Sequence, residues 1–99
     1  MIHALIDTTR VVGSIELDGA IHEVCAEAIG NHNRSENLLS VNLRAFLRST
    51  AHEHLGEVAA PDWLPSEETV TEHVEAGEAH EMVNDIFSLW CRKVSDAVP

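Results

Sequence analysis

Hydrophobic residues along this chain recur mostly at spacings of three and four, the period of an α-helix. Between residues 19 and 30 the apolar positions follow this spacing and stop at Gly30, a common residue after a helix. They are Ile21, Val24, Cys25, Ala28 and Ile29. The pattern predicts a first helix that begins at residue 15–19, with Asp18 as its N-cap. Asp18-Gly19 is also typical of a hairpin turn, but the helical spacing after it favours the cap.

A second helix is predicted over residues 35–54, with Asn33 or Ser35 as its cap. The negative charge of Glu36 in the first turn would interact favourably with the helix dipole. Its apolar stripe is Leu39, Leu43, Phe46 and Leu47. Arg44 and Arg48 lie one turn apart on another side. We interpret this basic pair as neutralising the acidic half of the chain, with contact to a phosphate or acidic ligand as the alternative.

The connection at residues 55–65 contains Trp63 between two prolines, and Gly56 would end the preceding helix. The indole is expected to fold back onto the core. If it is exposed, Trp63 becomes a candidate anchor for a partner, because Trp is enriched at binding hot spots.

Residues 66–96 start with a strong helix signal, Ser66 followed by two glutamates. However, the apolar face before Gly77 points almost opposite to the apolar face after it. We therefore predict two helices, at residues 66–76 and 78–96, with Gly77 as a left-handed cap between them. The apolar stripe of the second consists of Met82, Val83, Ile86, Phe87, Trp90 and Val94.

Together these elements predict a mainly α fold, a small four-helix domain spanning residues 1–99, with a short N-terminal strand at residues 2–6 left open. The apolar runs are only a few residues long, so we expect no transmembrane helix and no signal peptide. We expect the protein to be cytoplasmic, with Cys25 and Cys91 as buried free thiols.

Charge changes this picture more than any motif. The chain has 17 acidic and 6 basic residues, a formal net charge of −11. Residues 53–85 hold ten acidic residues and no Lys or Arg. Such a field attracts basic surfaces and repels acidic ones. Direct binding to nucleic acid is disfavoured, because affinity for phosphates comes from Lys and Arg.

No arrangement of residues indicates catalysis or a cofactor. The seven histidines are expected at the surface, and His22 with Cys25 is the one pair spaced to share a metal on a helix. No catalytic nucleophile with a base and an orienting group is apparent. The expectation is therefore a protein that is not an enzyme, with no cofactor and no metal. A small histidine-based metal-binding domain is the third hypothesis.

The leading hypothesis is a non-enzymatic protein that binds and inhibits a basic, nucleic-acid-handling partner through a carboxylate-rich helical ridge. Carboxylates one helical turn apart are ~5–6 Å from each other, comparable with phosphates along a strand. The analogy is to acidic nucleic-acid mimics of the anti-defence or antitoxin type, and it rests on charge and size. The candidate partner-binding residues are Glu67, Glu68, Glu72, Glu75, Glu78, Glu81, Asp85 and Trp63.

The alternative hypothesis is a structural or accessory subunit, or a homodimer, that buries the apolar face of the helix at residues 78–96. Such an association would tolerate salt, because it depends on apolar burial. No membrane and no direct nucleic-acid partner is expected.

Overall fold

The chain forms an antiparallel sheet with one helix packed across one of its faces. The computed structural model describes residues 3–49 and 57–99. The strands are β1 (His3–Leu17), β2 (Ala20–Asn33), β3 (Leu38–Ser49), β4 (Glu57–Val58) and β5 (Glu68–His73). A 3₁₀ turn at Ala76–Glu78 leads into the helix α1 (Ala79–Ala97). β1, β2 and β3 are neighbours in that order, while β4 and β5 pair with different parts of the far edge of β3.

The prediction of a mainly α, four-helix domain is wrong. The predicted first helix is strand β2, and the predicted helix at 35–54 is strand β3 as far as Ser49. Residues 50–54 of that prediction, with Gly56, lie outside the described residues, as do residues 1 and 2. The predicted helix at 66–76 is β5 and the connection after it. The predicted helix at 78–96 is present as α1.

The spacing of apolar residues in strand β2 resembles that of a helix, because β2 is a middle strand and carries apolar residues on both faces. Val24 and Ala28 belong to the core beneath α1, whereas Cys25 lies on the opposite face, outside that core. Residues four apart share a face in a strand and in a helix alike. When a strand is apolar on both faces, its hydrophobic residues can therefore recur at spacings of three and four. We interpreted this spacing as helical.

Three local signals were also assigned to the wrong structure. Asp18 and Gly19 have φ angles of +52° and +78°, which makes a tight turn between β1 and β2. The hairpin alternative is thus correct and the N-cap is wrong. Asn33 does cap a chain reversal, since its Oδ1 accepts from Ser35 N at 3.0 Å. That reversal is the β2–β3 turn. Gly77 is not left-handed, because Gly19 is the one glycine with positive φ in the described ranges.

The core lies between α1 and one face of the sheet. From the helix it contains Val83, Phe87, Trp90 and Val94, all buried. From the sheet it contains alternate residues, Val24, Ala26 and Ala28 of β2 and Leu39, Val41, Leu43 and Leu47 of β3. The indole N–H of Trp90 donates to the Arg44 carbonyl at 2.9 Å, so even the polar atom of this ring is satisfied.

The two cysteines are free and buried, as expected. Cys91 lies on the side of α1 that faces the sheet, within the core. Cys25 lies on the opposite face of β2, so the sheet separates the two thiols. Burial raises the pKa of the Cys91 thiol, and the nearby Arg10 guanidinium opposes this only in part. A raised thiol pKa leaves less reactive thiolate at a given pH.

Gly30 allows α1 to approach the sheet closely. A Cβ placed on Gly30 would lie 2.7 Å from Val83 Cγ2. Valine is stiff at its branched Cβ and cannot swing away cheaply.

We predict that Gly30→Ala destabilises the fold by about 1–3 kcal/mol, the usual cost of overpacking a core. Gly77→Ala is the matched control, because no atom lies within 4 Å of its added Cβ. The free energy of unfolding of both variants should be measured by urea denaturation. Equal stability of the two variants would contradict this packing of α1.

We also predict that a thiol-specific reagent labels neither cysteine in the native protein, apart from the fraction that unfolds. In denaturing urea both cysteines should react promptly. Fast labelling of Cys91 at neutral pH without denaturant would be inconsistent with its buried position beneath α1.

Candidate acidic interaction surface

The end of β5 and the start of α1 lie at the same end of the molecule. Residues 74–78 join them, and Val74 holds this connection against the β2–β3 turn. Its N–H donates to the Asn37 carbonyl at 2.9 Å, and its carbonyl accepts from His32 Nε2 at 2.7 Å. His32 is 1% exposed. A buried side chain thus fixes the backbone from which the acidic residues project.

Five of the seven predicted carboxylates are gathered around this connection, and all five are exposed. We call them the acidic end: Glu72, Glu75, Glu78, Glu81 and Asp85. Three of them, together with Met82, line a shallow depression of about 280 Å³. Glu78 is the N-cap residue of α1 and Glu81 lies in its first turn, where negative charge suits the helix dipole.

Glu67 and Glu68 lie at the other end of β5, away from the acidic end. Glu68 forms an ion pair with Lys93 of α1. Because residues 68–73 are a strand, Glu68 and Glu72 are ~13 Å apart along it, and not the ~6 Å of one helical turn. The prediction that these carboxylates form a helical ridge is therefore wrong for residues 67–75, whereas Glu78, Glu81 and Asp85 keep helical spacing at the start of α1.

Trp63 lies in the connection between β4 and β5 and is half-buried against the core. Its neighbour Leu64 is buried, and Leu64 N donates to the Pro61 carbonyl at 3.1 Å. Trp63 precedes β5, whereas the acidic end begins near the last residues of β5. The structure therefore does not bring Trp63 together with the acidic end.

The arginines of β3 form ion pairs with glutamates of the neighbouring strand β2. Arg44 pairs with Glu27, and Arg48 pairs with Glu23 at 2.8 Å. These pairs cross from β3 to β2 on the face of the sheet opposite α1. The hydrogen bond from Glu23 raises the pKa of the Arg48 guanidinium. These two ion pairs are internal, as expected, but they do not support neutralisation of the acidic half, because both glutamates belong to the N-terminal half of the chain.

The open face of the sheet is a surface that the sequence did not reveal. It carries these two ion pairs together with exposed apolar residues, of which Leu5, Val11 and Ile21 are 70%, 44% and 58% exposed. Arg44 also stacks over the Phe46 ring, at 4.5 Å from its centroid. The sequence pattern predicts helices at residues 19–29 and 35–54, and in helices these side chains do not share a flat surface. Recognising the open face therefore required the pairing of the strands.

The histidines do not converge. His22 and Cys25 are three apart in a strand, which places them on opposite faces and removes the one metal-binding pair we considered. His32 is buried, contrary to the expectation of surface histidines. In the described ranges, no three His, Cys, Asp or Glu residues come close enough to hold a metal ion. His52 and His54 lie outside those ranges.

Comparison with protein-family models, curated proteins and solved structures finds no match for this chain. Of the helices in the described part of the chain, none combines the length and the apolar character needed to cross a membrane.

We predict that His32→Leu destabilises the protein by about 1–3 kcal/mol, because the Val74 carbonyl loses its buried donor. Amide hydrogen exchange should also speed up at residues 72–78, since the connection is no longer held. His80→Leu, at an exposed position, is the control and should change stability by less than about 0.5 kcal/mol. Unchanged exchange in His32→Leu would show that the connection is fixed by other contacts.

Proposed function

We propose that the protein acts by binding, not catalysis, and that its acidic end docks on the basic surface of a nucleic-acid-handling protein, which it inhibits. The observation behind this proposal is that the five carboxylates of the acidic end are exposed and have no Lys or Arg ion pair within the described residues.

Four of the six cations of the chain make contacts away from the acidic end, and Arg92 lies in the second half of α1, seven residues beyond Asp85. Arg44, Arg48 and Lys93 form ion pairs with glutamates outside the acidic end. Arg10 reaches under α1, where it stacks on Phe87 at 5.2 Å. Arg34, in the β2–β3 turn, is the one arginine whose turn adjoins the acidic connection. The acidic end therefore keeps a strong negative field, which steers a basic partner toward it.

The spacing of the carboxylates narrows the class of partner. Glu78, Glu81 and Asp85 are three and four residues apart at the start of α1, so Glu81 stands ~5–6 Å from each of the other two. This resembles the spacing of charges along a nucleic-acid backbone. Glu72 and Glu75 extend the negative surface onto the strand and the connection. A site that normally holds phosphates offers Lys and Arg at matching distances.

Two further features agree with this proposal. The free, buried cysteines suit a reducing compartment, which supports action in the cytoplasm. The alternative hypothesis required a free apolar face on the helix at residues 78–96. That face packs against the sheet of the same chain, which leaves the acidic end as the better-supported surface.

The proposal is tested by charge reversal combined with competition. The variant Glu72→Lys/Glu75→Lys/Asp85→Lys avoids the first turn of α1, so the helix dipole is not opposed there. Each protein is coupled to resin and incubated with cell lysate at low salt. We expect the native protein to capture proteins that bind nucleic acid, and added duplex DNA or RNA to release them. The triple variant should capture at least tenfold less.

The matched control is Glu16→Lys/Asp62→Lys/Asp96→Lys, which makes the same change in net charge at exposed positions outside the acidic end. It should retain the captured proteins. If both triple variants lose binding equally, net charge alone is responsible and the acidic end has no special role. If nucleic acid releases nothing, the partner is not held at its nucleic-acid site.

A further inference from the structure

Strand β1 forms a long sheet edge, and within the described ranges no strand pairs with its outer side. Free edges are places where strands of other chains can add. Between Leu5 and Val11 this edge contains no proline and no lysine, the residues that commonly block such pairing. An irregularity between Val11 and Gly13 then interrupts the regular strand.

The hairpin turn shows which backbone groups of β1 point outward. A two-residue turn with two positive φ angles closes on a mutually hydrogen-bonded pair, here Leu17 and Ala20. Hydrogen-bonded pairs alternate along a ladder, so the even-numbered residues of β2 bond to β1. In the part of β1 before the irregularity, residues 3–11, the partners of these β2 residues are the even-numbered residues of β1, as with Thr8 opposite Ala28. The outward groups therefore belong to Leu5, Asp7, Thr9 and Val11.

This edge is complementary to itself in one register. Outward residues must pair with outward residues, so the two-fold axis passes through a residue and not between two. Axes at residues 7, 8 and 9 keep the ladder centred on the stretch from Leu5 to Val11. An axis at Asp7 would set two carboxylates opposite each other, which is unfavourable. An axis at Thr9 would place Leu5 opposite Gly13, in the irregular part. An axis at Thr8 places Leu5 opposite Val11, and both are large apolar side chains that are exposed in the single chain.

The other edge of the sheet is unsuited to a second copy. β5 is six residues long and carries Glu68 and Glu72 on one face, and β4 has two residues. Pairing β5 with another β5 would bring these acidic side chains together in a protein that already carries a net charge of −11. Charge therefore favours the β1 edge, which holds Asp7 and Arg10 between residues 5 and 11.

We propose that the chain forms a two-fold dimer in which β1 pairs antiparallel with β1 of a second copy, centred on Thr8. Leu5 to Val11 form the ladder, and Leu5 of each copy faces Val11 of the other. The two sheets become one continuous sheet with both α1 helices on the same face. The acidic end lies on the β5 side, away from β1, so it stays open in the dimer. The dimer therefore does not depend on the proposed function, and each can fail alone.

A disulfide tests this register directly. At the two-fold axis the two Thr8 residues form a non-hydrogen-bonded pair with Cα atoms ~4.5 Å apart, within disulfide range. We expect Thr8→Cys to form a covalent dimer rapidly under mild oxidation, seen on a non-reducing gel. Thr9→Cys is the matched control: in this register the two Thr9 Cα atoms are ~8 Å apart, too far for a disulfide.

The control also separates pairing from random collision. Thr9 is exposed and Thr8 is half-buried, so cross-linking by collision would favour Thr9→Cys. Cross-linking of Thr9→Cys as fast as or faster than Thr8→Cys overturns the proposal. The native protein, with both cysteines buried, should not cross-link.

Sedimentation equilibrium of the unmodified protein gives a second readout. The mass should rise from one chain of 10.9 kDa toward twice that value across the micromolar range. Val11→Lys should shift the dimer dissociation constant upward by at least tenfold while leaving the circular dichroism spectrum unchanged. Leu89→Lys, at an exposed apolar position on α1, should have no such effect. A native protein that stays monomeric at all concentrations overturns the proposal.

Discussion

The first half of α1 can lie this close to β2 because β2 has no side chain at Gly30, where an added Cβ would lie 2.7 Å from Val83 Cγ2. This contact places the beginning of the helix directly over the middle strand. The chain must then pass from β5 to α1 in a few residues, and it does so through the connection held by His32 and Val74. The gathering of carboxylates at one end is a consequence of this short passage.

In this fold, the arginine side chains of the open face are paired, whereas the carboxylates of the acidic end are not paired with Lys or Arg within the described residues. On the open face, each arginine of β3 meets a glutamate of β2, and these pairs are partly exposed, so each contributes little to stability. At the acidic end, carboxylates have no such partners among the described residues. Keeping them close together costs electrostatic energy in the folded state. This cost is consistent with the proposal that the acidic end serves to bind a partner.

The sequence predicted the helix α1 and the buried thiols, but it could not reveal the sheet. Glu23 and Glu27, or Arg44 and Arg48, are four apart and share a face in either structure. Strand β2 is apolar on both sides, which hides the alternation typical of a half-exposed strand. Asn33 caps a turn as readily as a helix. Strand pairing depends on residues far apart in the chain, and it was this information that the local pattern lacked.

For the candidate site, the sequence indicated which carboxylates to consider but not how they are arranged. Glu78, Glu81 and Asp85 keep the helical spacing that was expected. Glu68 was expected in the same ridge, yet the strand carries it to the other end of β5, where it pairs with Lys93. Whether Glu68 lies near Glu78, Glu81 and Asp85 or far from them depends on whether residues 68–73 are helix or strand. The secondary structure of this segment therefore determines which carboxylates belong to the acidic end.

The most direct test is therefore a nuclear Overhauser experiment on residues 66–76. If β5 pairs with β3 as described, Asn42 and Thr69 form one non-hydrogen-bonded pair and Ser40 and Thr71 form the next. We predict strong Hα–Hα cross-peaks within both pairs and weak sequential amide–amide cross-peaks along the segment. Strong sequential amide–amide cross-peaks from Glu67 to Val74, with no cross-strand Hα–Hα peaks, would mean a helix here and would contradict the account of the acidic end.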